Sequence, residues 1–182
     1  MSPESSEEQK FLPIQDIQKK TNEIIQALGI AEWAECGLLN NPQHEMQTPI
    51  LLRKDSGREG ANVSYSYIVP FGLPGEKSKS GVPLTRLCIL IDANDGRFQE
   101  VTAFVDPVAY LSQEEAVQVV ASELGVPVDK LGIVEAESMF RSCEITHVRA
   151  YPFWRIIVNG RTYYVDQSKK LYTSLERGKG GS

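Results

Sequence analysis

Asp92, Asn94 and Asp95 are the first residues to test for chemistry, because oxygen ligands at alternate positions can hold calcium. A calcium loop opening at Asp92 would need a third ligand at position 96 and a closing glutamate at position 103. The chain has Gly96 and Ala103 there, so the spacing reads as a turn. Cys143 and His147, with Glu144 between them, offer a nucleophile and a base. On a strand, that spacing puts both side chains on one face about 13 Å apart, too far for direct contact. His44 stands in the loop-like stretch NNPQHEMQTP. Cys36, Cys88 and Cys143 form no CxxC pair and have only His44 and His147 as imidazole company. They read as free, partly buried thiols, with neither a zinc site nor a disulfide. Cys36 and Cys88 are both expected on strands. No phosphate loop, nucleophile elbow or dinucleotide fingerprint is present. The expectation is a non-enzyme without metal or cofactor.

Composition narrows the partners. The chain has 182 residues, of which 41% are hydrophobic and 24% charged, and its net charge is -5. A nucleic-acid footprint needs a basic face to neutralise phosphates, and the basic groups here are small: Lys77 with Lys79, and Lys169 with Lys170. No stretch is long and apolar enough for a membrane span. The opening MSPESSEEQK is polar and acidic, without the basic and apolar regions of a signal peptide. It reads as a native cytoplasmic start, or as a linker left once a signal or anchor has been removed. In the second case the protein is extracytoplasmic or of the cell envelope.

Two helices would position these residues. Ile14, Ile17, Ile24, Ile25 and Leu28 recur at helical spacing between Pro13 and Gly29, a start and stop pair. Ser112 and Glu115 make a capping box for a helix to Leu124, with Val117, Val120, Ala121 and Leu124 as its stripe and Gly125 as its stop. The rest reads as strands: ANVSYSYIVPF, TRLCILID, RFQEVTAFV, a strand near Leu131 to Met139, YPFWRIIV, RTYYVD and LYTSL. Asp95-Gly96 and Asn159-Gly160 mark hairpins.

The two halves align on these elements. Ala27-Leu28-Gly29-Ile30 matches Glu123-Leu124-Gly125-Val126, and Ile91-Asp92 to Phe98 matches Val165-Asp166 to Tyr172. In that alignment Lys170 takes the place of Gly96 and should be left-handed. The expected fold is α+β: two tandem repeats, each a helix packed on its own antiparallel β-meander. Residues 1–12 form a disordered leader, 13–107 the first repeat, 108–175 the second, and 176–182 a flexible tail. The first repeat carries two insertions, around Lys54 to Gly60 and at Phe71 to Pro83.

Glu114-Glu115-Ala116, Leu124-Gly125, Tyr164-Val165-Asp166 and the Ile91-Asp92 to Gly96-Arg97 hairpin make the chain resemble the PepSY family, with a cystatin-like fold. The resemblance covers about Pro13 to Leu175. It departs at Lys170, where the family has glycine, and in the first helix, which lacks the acidic start. It implies a non-catalytic module that binds or restrains a protein partner, peptidases among the candidates. Two surfaces are candidates for that binding. One is the loop insertion, with Phe71 and Leu73 as apolar anchors and Lys77 and Lys79 as charge for an acidic partner. The other is an aromatic patch at Phe153 and Trp154. The alternative is a small-molecule pocket or enzyme of the cone-shaped α+β kind, with a curved sheet around a helix.

Overall fold

In the computed structural model, which describes residues 10–55, 62–143, 145–146 and 148–176, Pro13 turns the chain into helix α1 (Ile14–Leu28). Gly29 ends the helix in the left-handed region, at φ 60°. Ile17 is wholly buried and Ile24 and Ile25 pack beside it, whereas Ile14 and Leu28 are exposed. The buried stripe is therefore narrower than the sequence spacing implies. Two 3-10 turns follow, Ile30–Glu32 and Ala34–Asn40. Cys36 lies in the second of them rather than on a strand.

Strands β1 (Glu45–Met46), β2 (Ile50–Lys54), β3 (Ser64–Gly72), β4 (Thr85–Asp92) and β5 (Phe98–Val108) complete the first part of the chain. Helix α2 (Gln113–Leu124) then starts on the capping box, with Glu115 N–H donating to Ser112 Oγ and Ser112 N–H donating to Glu115 Oε2. After a 3-10 turn at Val128–Lys130 come β6 (Ile133–Phe140), β7 (Phe153–Val158), β8 (Arg161–Val165) and β9 (Leu171–Tyr172).

The expectation of two tandem helix-on-meander repeats is corrected by the sheet. All the strands join one 9-stranded sheet in the order β5-β4-β3-β2-β6-β7-β8-β9, with β1 paired to β3. It is mixed, because β2 and β6 run parallel, Arg53 opposite Met139 and Lys54 opposite Phe140. The physical reason is the open edge that a separate meander would leave at its first strand. Unpaired backbone groups there need partners, and each of these two strands supplies the other's. Strand β2 was missing from the sequence reading, because ILLRK shows no regular alternation. Pro107, the expected boundary, stands within β5.

Side-chain alternation distributes the core. Ile17 of α1 packs on the face carrying Tyr67, Val69, Ile89 and Ile91. Val117, Val120 and Ala121 of α2 pack on Ile156, Val158, Tyr163 and Val165. Followed across the β2–β6 seam, these two faces are opposite sides of the sheet. Tyr110 and Ala150 cover Leu52, Ile68, Cys88 and Leu90 on the side away from α1. Cys143, Tyr172 and Leu175 cover Met139, Phe153 and Tyr164 on the side away from α2.

Charged side chains bind the seam. Glu137 of β6 accepts from Arg53 of β2 at 2.5 Å and from Arg155 of β7 at 2.8 Å, and Glu135 also accepts from Arg155, at 2.7 Å. Arg141 donates to Asp55 at 2.8 Å.

Two turns refine the sequence reading. Asp92 N–H donates to Arg97 O, and Gly96 is left-handed at φ 73°. In the second turn Asp166 N–H donates to Lys170 O, and the left-handed residue is Lys169, at φ 67°. The expected left-handed Lys170 is thus corrected: this turn is one residue shorter, so Lys169 takes the place of Gly96. The expected leader and tail, the Lys54 to Gly60 insertion, Glu144 and His147 lie wholly or partly outside the described residues.

Candidate binding surface

The β3–β4 connection is a built hairpin. Ser78 N–H donates to Val82 O, Leu84 N–H to Glu76 O, and Lys77 pairs with Pro83 as a bridge. Arg86 holds Glu76 through two hydrogen bonds of 2.7 Å. Gly72 opens the loop where a Cβ would stand 2.2 Å from Leu84 O, so any other residue would have to move backbone.

Of the residues singled out in the sequence, Phe71 is wholly buried in the core, its ring 6.0 Å from that of His44. It offers no surface anchor. Leu73 is half-buried, and Lys77 and Lys79 are exposed. Phe153 is 1% exposed, with its ring edge-on to Tyr172. Trp154 is half-buried, its indole N–H donating to Leu111 O at 2.8 Å. Phe153 and Trp154 also point to opposite faces, as successive strand residues must, so they form no common patch. His44 Nδ1 is 2.6 Å from Asn41 O. Asp92 Oδ1 accepts from Asn94 N–H and Asp95 N–H, which makes it a turn residue. Among the described residues, no three His, Cys, Asp or Glu side chains gather as a metal-holding group.

An apolar surface lies elsewhere. The β4–β5 register jumps between Leu87 opposite Ala103 and Thr85 opposite Val108. The residues between them, Phe104 to Pro107, therefore bulge against Arg86 alone. The bulge throws Val105 out to 97% exposure, and Phe104 stacks edge-on against Tyr151 at 5.4 Å. Beside it opens a cleft of about 750 Å³, walled by Pro107, Val108, Ile145, Val148 and Tyr151 and reaching Phe153 and the turn Asp166 to Ser168. Ile145, Val148 and Tyr151 are each more than a third exposed.

The polar groups of this cleft are engaged. Asp166 Oδ1 accepts from Ser168 N–H, Ser168 Oγ and Lys170 N–H, and Oδ2 accepts from Tyr172 OH at 3.0 Å. Burial, with the Asp166 carboxylate beside it, pushes the Tyr172 phenol up to about 12, so it stays a donor. Gln167 accepts from Leu111 N–H and donates to Pro152 O, both at 2.8 Å. The arrangement suits burial of an apolar group better than proton transfer.

A second cleft, of about 300 Å³, separates the β3–β4 hairpin from the start of α2. Ser78, Lys79 and Ser80 of the hairpin line it together with Glu115 and Lys169. Lys169 Nζ reaches Glu115 Oε1 at 3.1 Å. The Ser112 amide and then Lys169 hold the Glu115 carboxyl below its ordinary value.

The sequence reading missed the first cleft. Its signal was Asp106-Pro107 inside a strand-like run, since proline within a sheet belongs to edges and bulges. No protein-family model matches the chain, and no curated protein matches it.

Proposed function

We propose that this chain is a non-catalytic binding module that takes an apolar segment of a partner protein into the cleft beside the β5 bulge. The observation that carries the reading is the set of exposed apolar side chains Ile145, Val148 and Tyr151 lining a cleft whose Asp166 and Gln167 are already bonded. Exposed apolar side chains gathered at a concave site mark interaction surfaces. The PepSY-like motifs at Glu114-Glu115-Ala116 and Leu124-Gly125 support the same class, and suggest a peptidase as partner and the cell envelope as place.

The test is selection of a random dodecapeptide phage library on the immobilised protein. Selected clones should be rich in apolar residues and bind Val148→Asp at least about tenfold more weakly, as expected when a charge enters an apolar contact. Clones that bind both proteins equally, or turnover of any peptide traced to a named side chain, would overturn the proposal.

A further inference from the structure

We infer that the partner's segment is acidic next to its apolar part, an inference that rests on the binding reading above. In sequence, the pairs Lys77/Lys79 and Lys169/Lys170 belong to different loops far apart, and each alone reads as a solvated turn. The fold brings one member of each pair to the same place, since Lys79 and Lys169 both line the 300 Å³ cleft. That cleft and the apolar one share Ala109 and Gln167 as lining residues. The basic site and the apolar site are therefore neighbours, and one short peptide can span both.

The charges favour an acidic occupant. The chain as a whole carries a net charge of -5, whereas the lining of this cleft, Lys79 and Lys169 against Glu115, carries a net charge of +1. Lys79 enters none of the ion pairs found among the described residues, whereas Lys170, outside the cleft, sits over the Tyr172 ring at 5.2 Å. The one acid lining the cleft, Glu115, is held by the Ser112 amide and by Lys169. The Ser78 and Ser80 hydroxyls, which line the cleft beside Lys79, are hydrogen-bonded to each other at 2.9 Å, which leaves one of the two O–H groups to donate to a carboxylate. Complementary charge at such a rim selects partners and speeds encounter more than it adds affinity.

The phage selection gives the probes. Peptides from the selected clones are synthesised as found, and again with every Asp and Glu replaced by Asn and Gln. Binding of both forms is measured by fluorescence polarisation on the wild-type chain, Lys79→Gln, Lys169→Gln, the double variant and Val148→Asp. The acidic form should bind about fivefold more tightly than the amide form, the size of one or two exposed ion pairs. That advantage should shrink in the double lysine variant and fade with added salt. Equal binding of acidic and amide forms, or an advantage untouched by both lysine changes, overturns the inference. Loss of the advantage on adding millimolar phosphate would assign the basic cleft to free anions and overturn it too. If Val148→Asp weakens binding and the lysine variants do not, only this inference fails. If the lysine variants weaken binding and Val148→Asp does not, the apolar-cleft reading fails instead.

Discussion

Replacing Glu137 with glutamine removes the negative charge that Arg53 and Arg155 share across the β2–β6 seam. A contact of 2.8 Å carries about 6 kcal/mol of gross attraction at an effective dielectric near 20, and most of it is offset by the cost of desolvating the charges. Breaking a fully buried ion pair by removing one partner costs about 3–5 kcal/mol. Here the side chains of Arg53, Glu137 and Arg155 are 23%, 22% and 21% exposed, so water recovers part of that. Arg155 keeps Glu135, whereas Arg53 loses its carboxylate and already has a buried Nε without a partner among the described residues. The expected loss is about 2 kcal/mol, read as a lower midpoint in urea unfolding with an unchanged slope. The triple change Arg53→Met, Glu137→Leu and Arg155→Met removes the three more buried charges together, leaves only the 42%-exposed Glu135 without its arginine, and should return to within about 1 kcal/mol of the native chain. A Glu137→Gln midpoint within error of wild type would refute the claim that this carboxylate ties the two parts of the sheet together.

Two further perturbations concern the turns and the thiols. Lys169→Gly should stabilise the fold, because a left-handed residue with a Cβ costs about 1 kcal/mol while the exposed pair to Glu115 returns less. Lys170→Gly should destabilise it, and a reversed pair of signs in thermal unfolding would show the turn to be misassigned. The three cysteines are free and buried, and burial pushes the Cys88 thiol up to about 12. The native chain near pH 8 should therefore leave Cys88 unalkylated, while the unreduced, unfolded chain should take a label on each of the three. A mass deficit of two protons, or rapid native labelling of Cys88, would contradict this.

The ends of both helices were legible because their signals are local. Pro13 and Gly29 bound α1, the Ser112–Glu115 capping box and Gly125 bound α2, and Asn159-Gly160 makes a tight turn with both residues at positive φ. Sheet assembly was not legible, because it depends on which edges are left open. ILLRK gives no sign that it will meet a strand 84 residues further on. Alternation told which residues share a face, but not which face another segment covers. Phe71 and Phe153 therefore read as candidate anchors, and α1 and the Tyr172–Leu175 segment turned them into core. The β5 bulge was hidden for a similar reason. The run RFQEVTAFV is strand-like throughout, and although Asp106-Pro107 after it signals an irregularity, only the register against β4 shows which residues are pushed outward.

The parallel seam also sets a delay during synthesis. Strand β2 is made early, but its neighbour on that side comes 84 residues later, counting from Arg53 to Glu137. At typical elongation speeds, that leaves the β2 edge waiting about 4–17 s on the ribosome for its partner. An open edge is a template for pairing with other nascent chains. The two residues of β2 that eventually pair with β6 are Arg53 and Lys54, and positive charges repel a second copy of the same strand. The residues that close the sheet in the finished protein thus also guard its edge while that protein is still being made.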